Sequence, residues 1–360
     1  MNSADSFSSD YHAARTKFRQ AVVETGGALE TIAHPERGPD GGDLSTDVAL
    51  FGEKRAERVL VMIAGTHGGE GFCGSGAQID WLRRGEASRL PAGVAVLMIH
   101  AINPHGFAWL RRVTEDNVDL NRNWIDFAAQ APVNAGYDAL AEILVPTTWT
   151  ETSQRESAEG MGAFARDHGA MALQQAMSAG QYKHPTGIFF GGAGPTWSRR
   201  TQTAIFESYL ASAGKVAIID YHTGLGPWGY GEQIVTDGPP SAGYQRARSW
   251  YGAAITCPAA GDSTSADIKG DGLAAAPRIL AHAEVTGMAL EIGTQSLIEV
   301  LTALRADAWL HAHGDLASPQ GQEIKRAMRA AFYGDADDWK GMVAGQSMLA
   351  CRQAIKGLTT

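Results

Sequence analysis

Arg58-Val59-Leu60-Val61-Met62-Ile63-Ala64-Gly65-Thr66-His67-Gly68-Gly69-Glu70 carries the reading of the fold. Residues 58–65 are apolar and β-branched with almost no polar alternation, the pattern of a strand covered on both faces. A histidine follows that strand directly, and a glutamate three residues later opens a helix-like stretch. The glycines between them allow a tight turn that folds both side chains toward one point and leaves room above it.

Working outward, residues 94–101 and 216–221 repeat the buried-strand pattern, and residues 287–292 form a shorter version. Helix-like stretches lie at 70–84, 137–144, 154–177, 197–213, 245–254, 297–309 and 322–332. Strands alternating with helices imply an α/β fold: a central twisted mixed sheet, largely parallel, flanked by helices on both faces. The candidate site residues span positions 67 to 291, so residues 1–335 are expected to form one domain. Residues 336–360 are expected as a C-terminal arm with no assigned role.

The 360 residues are 44% hydrophobic, enough for a large core. The formal net charge is −9, with acidic and basic residues interspersed and no Lys/Arg run able to track a phosphate backbone, which excludes nucleic acid as the expected partner. No apolar run approaches the roughly 18 residues of a membrane span, and the acidic start of the chain lacks the apolar centre of a secretory signal. No membrane partner is expected. The three cysteines, Cys73, Cys257 and Cys351, form no CxxC pair, so the expected compartment is the reducing cytoplasm, with Cys73 a packing residue.

A bare His-x-x-Glu is frequent by chance. Val216-Ala-Ile-Ile-Asp-Tyr-His222-Thr-Gly224, however, places a second histidine at the end of a second buried strand, followed by a small-residue turn. Side chains at the carboxyl ends of strands sit where open α/β sheets build their sites. His67, Glu70 and His222 together would leave one zinc coordination position open, which suits a hydrolytic centre. Gly224-Leu-Gly226-Pro-Trp-Gly229 satisfies GxGxxG, but Pro227 interrupts it and residues 233–236 read as a strand, so it is not a dinucleotide loop. Trp228 and Tyr230 in that loop are expected to rim a substrate pocket. No GxSxG elbow occurs, and His100, at the end of its own strand, reads as structural.

Asn103-Pro104-His105-Gly106-Phe107, the pair Arg111-Arg112, and Val118-Asp119-Leu120-Asn121-Arg122-Asn123-Trp124 lie between these strands. With the His-x-x-Glu before them and His222 after, they occur in an order that resembles the zinc carboxypeptidase superfamily, which includes pancreatic-type carboxypeptidases and the aspartoacylase and succinylglutamate desuccinylase group. The resemblance covers approximately residues 55–300. It implies one zinc ion held by His67, Glu70 and His222, with Asp119 accepting from the free N–H of His67. It also implies that Asn121 and Arg122 hold a substrate carboxylate. Arg112, or the adjacent Arg111, would stabilise the oxyanion. Glu291, in Met288-Ala-Leu-Glu291-Ile-Gly-Thr294, would be the general base and acid. A lone glutamate in an apolar run is costly unless it has such a task.

One departure stands out. Pancreatic-type enzymes carry a mobile tyrosine before the catalytic glutamate, whereas residues 261–275 contain none, and Tyr244 and Tyr251 fit poorly. The implied activity is therefore zinc-dependent hydrolysis of an amide next to a free carboxylate, in a small peptide or an N-acyl amino acid. A metal-dependent esterase and a non-catalytic binding protein on the same fold are the alternatives. A homo-oligomer is left open.

Overall fold

The computed structural model describes residues 2–360. Its frame is one mixed sheet of eight strands: β1 (Ala28–Arg37), β2 (Asp43–Phe51), β3 (Arg58–Ile63), β4 (Val94–His100), β5 (Lys215–Thr223), β6 (Gly231–Ile234), β7 (Ile255–Thr256) and β8 (Glu284–Ile292). The order is β1-β2-β4-β3-β5-β8-β6-β7. The four central strands β4, β3, β5 and β8 run parallel, and β2 and β6 join them antiparallel on either side.

The parallel strands are the apolar runs of the sequence, and each is buried on both faces as that pattern requires. On β3, Leu60 and Met62 enter one core while Val59, Val61 and Ile63 enter the other. Val96 and Met98 against Ala95, Leu97 and Ile99 repeat the alternation on β4, as do Ala217 and Ile219 against Val216 and Ile218 on β5.

The helices are α1 (Tyr11–Glu24), α2 (Gly71–Arg83), α3 (Pro104–Ala108), α4 (Ala135–Leu144), α5 (Glu151–His168), α6 (Ala170–Ser178), α7 (Trp197–Tyr209), α8 (Ala242–Tyr251), α9 (Gly272–Ile279), α10 (Leu297–His313), α11 (Pro319–Phe332) and α12 (Asp337–Leu358). One sheet face is covered by α1, α2, α8 and α12, the other by α7 and α9. A third cluster joins α4, α6, α10 and α11 through Leu140, Met177, Leu304 and Phe332. It is tied to the carboxyl ends of β5 and β8, where Thr223 Oγ1 donates to Phe332 O at 2.7 Å and Thr294 Oγ1 to Ala331 O at 2.6 Å. No helix among the described residues is long and apolar enough to cross a membrane.

The helix expected over 154–177 is two helices, because Gly169 at φ +95° turns the chain between α5 and α6. Residues 336–360, read as an arm, are mostly α12, which lies across the sheet with Trp339, Val343 and Ala350 fully buried. Trp339 Nε1 donates to Gly293 O at 2.9 Å, two residues after Glu291. Replacing Trp339 by Ala removes a buried indole and one of the two donors to that carbonyl, which keeps Gly229 N at 2.9 Å, so urea denaturation should show a loss of about 3–5 kcal/mol, mostly from the cavity. A loss under about 1 kcal/mol, the range of ordinary surface substitutions, would contradict the packing.

Candidate metal centre

After β3 the chain turns through Gly65, at φ +71°, and a single 3-10 turn at Gly68–Glu70 leads into α2. Gly68 is required there, since a Cβ would come within 2.0 Å of Gly106 C and 2.2 Å of Phe107 N. The turn is stitched to the next loop: Gly68 N donates to Arg112 O at 3.1 Å and Gly69 N to Arg111 O at 2.7 Å. His67 and Glu70 are thereby held in one place with Arg112 beside them. In the sheet, β5 lies between β3 and β8, and His222 is the register partner of Glu291.

These elements bring His67, Glu70 and His222 together in a buried cluster, the one group among the described residues spaced to hold a metal ion. His67 Nδ1 is 3.0 Å from Glu70 Oε1, His222 Nδ1 is 3.1 Å from Glu70 Oε2, and the two Nδ1 atoms are 3.1 Å apart. Each imidazole turns its other nitrogen to a carboxylate: His67 Nε2 meets Asp119 Oδ1 at 3.2 Å and His222 Nε2 meets Asp220 Oδ2 at 3.0 Å. An ionised carboxylate only accepts hydrogen bonds, so each Nε2 carries a proton, and in the neutral imidazole, the form that binds a metal, each Nδ1 presents a lone pair. Two lone pairs and a carboxylate facing one another repel unless a cation lies among them. A tetrahedral ion with bonds of about 2.0–2.1 Å separates its ligand atoms by about 3.3 Å, close to the spacing found, so the donor set fits zinc.

The electrostatics point the same way. Burial opposes a charged His222 imidazole, yet Asp220 and Glu70 outweigh it and push its pKa well above the ordinary value, so the carboxylates favour a positive charge at this point, a proton on the imidazole or a metal ion in its place. Burial likewise opposes the Glu70 and Asp119 carboxylates. It is outweighed by His67, His222 and Arg112 at Glu70, and by Arg112, Arg122 and His67 at Asp119.

Arg112 bridges the site, Nε to Asp119 Oδ2 at 2.9 Å and Nη1 to Glu70 Oε1 at 3.0 Å. Its Nη2 has no protein partner among the described residues. Arg111 is engaged elsewhere, with Asp307 at 3.1 Å and Asn117 at 2.7 Å, and it does not line the main cavity. Glu291 Oε1 accepts from Leu225 N at 3.0 Å, while Oε2 has no such partner among the described residues. Burial, with the Glu70 charge second, pushes the Glu291 carboxyl up to about 8.

Asn121 Oδ1 accepts from Gly272 N at 3.2 Å. The 3.5 Å approach of its Nδ2 to His222 Nε2 is a contact and not a hydrogen bond, because both atoms carry protons. Arg122 is buried, with Nε and Nη2 donating to Ser178 O and Nη1 to Asn121 O, which leaves one N–H uncommitted on each terminal nitrogen. His67, Arg112, Asn121, Arg122, His222 and Glu291 all line one cavity of about 480 Å³.

Three features lie outside the sequence reading. Asp220, the partner of His222, was legible only as a carboxylate two positions earlier on the same strand face. Phe189, at φ +53°, lies 5.3 Å from the guanidinium carbons of both Arg112 and Arg122 and spaces the two cations. Nothing in the sequence around it marks that role. Third, Trp228 and Tyr230 do not line the cavity; Trp228 turns to α12, with Nε1 3.3 Å from Asp338 and its ring 6.4 Å from that of Trp339. No tyrosine lines the cavity among the described residues, and Tyr244 and Tyr251 belong to the core under α8. Cys73 and His100 are fully buried, His100 against Ser75 Oγ at 2.8 Å, and neither joins the cluster.

Solved structures are similar to this chain at low identity and with TM-scores under 0.5. Bovine thrombin-activatable fibrinolysis inhibitor, in complex with tick carboxypeptidase inhibitor, is 9% identical with a TM-score of 0.44, over 97% of this chain and 98% of that one. Carboxypeptidase A from Helicoverpa armigera is 11% identical with a TM-score of 0.46, over 89% and 74%. Succinylglutamate desuccinylase from Chromobacterium violaceum is 12% identical with a TM-score of 0.38, over 88% and 73%. No curated protein sequence matches the chain. Residues 7–346 match the profile of the family described as "Protein of unknown function (DUF2817)", and the chain belongs to that family.

Proposed function

We propose that this protein is a zinc-dependent hydrolase that cleaves an amide bond beside a free carboxylate, in a peptide C-terminus or an N-acyl amino acid. The observation that carries the reading is the pairing of His222 with Glu291 across β5 and β8. It sets a buried carboxylate with a free oxygen beside the inward lone pairs of the triad, at the floor of a substrate-sized cavity.

His67 and His222, through Nδ1, and Glu70 would hold the ion. Zinc in such a site acts as a Lewis acid, polarising a carbonyl and making water acidic near neutral pH. Glu291 Oε2 takes a proton from the attacking water and delivers it to the departing nitrogen, a task that needs a carboxyl with a raised affinity for protons. The uncommitted Nη2 of Arg112 stabilises the negative charge that develops on the carbonyl oxygen. Its bonds to Asp119 and Glu70 hold it in place beforehand, so no reorganisation accompanies the reaction. Arg122 and Asn121 orient the substrate carboxylate, which places the amide over Glu291.

Chelation with phenanthroline should abolish hydrolysis of a panel of C-terminal dipeptides and N-acyl amino acids, and added zinc should restore it. Glu291→Gln should lower kcat by about 10²–10⁴-fold with zinc content unchanged; full activity in that variant would refute the mechanism. Asp220→Asn should weaken zinc binding about 10–100-fold in a competition titration with a fluorescent chelator, because its amide no longer demands the Nε2-protonated form of His222. Unchanged affinity would show that the Asp220 contact does not set the tautomer.

A further inference from the structure

The cavity has two unlike walls. One carries the polar groups: Asn121 and Arg122, with Asp271 and the loop 264–267, interleaved with Ile268, Leu273 and Ala274. That loop is pinned by Glu232, a buried carboxylate on β6 that accepts from Ser263 Oγ at 2.8 Å, Thr264 N at 3.1 Å and Thr264 Oγ1.

The other wall is apolar and made of two helix faces. α6 contributes Ala170, Leu173 and Met177, and α10 contributes Leu297, Leu301 and Leu304, spacings that place each set on one side of its helix. On both helices exposure falls from rim to floor: Leu297 is 46% and the neighbouring Ile298 77% exposed, Leu301 is half-buried, and Leu304 and Met177 are each 7% exposed. Among the described residues, three of the nine exposed large hydrophobic side chains, Met171, Leu297 and Ile298, sit at the first turns of these two helices. Leu297 and Ile298 line the cavity and Met171 lies beside the lining residue Ala170, and exposed apolar side chains at the mouth of a cavity mark a ligand surface.

The wall also discriminates between kinds of apolar ligand. Within the body of a helix the backbone N–H and C=O groups bond to one another. The Ser178 side chain donates back to Gln174 O at 2.7 Å, and the Ser178 carbonyl is occupied by Arg122. A peptide laid along this wall would find the Gln174 side chain as a polar partner and would leave most of its amides unpaired. A hydrocarbon chain has none to satisfy.

We propose that the α6–α10 wall receives an unbranched aliphatic acyl chain, so that the substrate is an N-acyl amino acid with a medium or long acyl group. The proposal rests on the amidohydrolase reading above. The amino-acid carboxylate lies on the polar wall at Arg122, the chain runs out past Leu304 and Leu301 to Ile298, and the amide lies between them at Glu291. Water adds its hydroxyl to the acyl carbon and its proton to the nitrogen as the C–N bond breaks, releasing a fatty acid and a free amino acid.

The test is a series of N-acyl-alanines from acetyl to dodecanoyl, assayed with the zinc-loaded protein alongside calorimetric binding of acetate, hexanoate and dodecanoate. kcat/KM should rise about fourfold per added methylene until the wall is filled. Ile298→Asp at the exposed rim and Leu301→Asp further in should each cut the dodecanoyl-to-acetyl ratio about tenfold or more. Acetyl-alanine hydrolysis with a flat or falling series would overturn the acyl wall and leave the amidohydrolase reading standing. If no member is hydrolysed the amidohydrolase reading fails, and binding decides the wall: dodecanoate tighter than hexanoate, and weakened by Leu301→Asp, upholds it, whereas equal binding refutes it.

Discussion

The site depends on a constraint of proton placement. Asp119 and Asp220 can only accept, so they hold the protons of His67 and His222 on the outward nitrogens and aim two lone pairs at each other across 3.1 Å. Every element around the site serves that convergence. Parallel pairing of β3 with β5 brings Asp220 opposite Ile63, just before the turn that carries His67. The loop holding Asp119 is tied to the same turn by Arg112, which binds Asp119 and Glu70 with two of its nitrogens.

Charge balance gives the arrangement its energetic sense. Glu70, Asp119 and Asp220 are nearly or fully buried and in direct contact with the two imidazoles, with Arg112 hydrogen-bonded to two of them. With both imidazoles neutral, three carboxylates against Arg112 leave two negative charges in excess; Arg122, with Nη1 3.9 Å from Asp119 Oδ1, offsets one, and Glu291, with its carboxyl pushed up to about 8, adds a negative charge only when it ionises. Buried charge without compensation is strongly unfavourable, and a divalent cation is the compensation this geometry fits. Such an ion would also draw the Glu291 pKa down from about 8, toward the range in which a carboxylate can act as a base at neutral pH.

How much was legible in the sequence follows from what each residue faces. The central strands could be read because both faces are apolar, and strand ends followed by histidine or glutamate announced the triad and Glu291. The β1–β2 hairpin escaped because β1 is largely exposed and β2 buries Ser45, Thr46 and Asp47, with Asp47 satisfied by Arg15 and Arg19. Those partners lie on α1, and no local pattern reveals them. The break at Gly169 was hidden because an isolated glycine inside a helical pattern is tolerated and does not by itself end a helix. Asp220 and Phe189 act through long-range contacts, which a linear pattern does not encode. The orientation of Trp228 was decided by α12, more than a hundred residues further on.

Apart from Asn121 and Arg122, the walls of the cavity belong to elements outside the recognisable motifs, which is why substrate choice was the least legible property of the chain. The central claim concerns the floor, and zinc K-edge X-ray absorption on the zinc-loaded protein tests it most directly. The account predicts one zinc per chain, with two imidazole nitrogens and carboxylate oxygen at about 2.0–2.2 Å, and loss of one imidazole in His222→Ala. A sulfur shell at about 2.3 Å, or an unchanged spectrum in that variant, would contradict it.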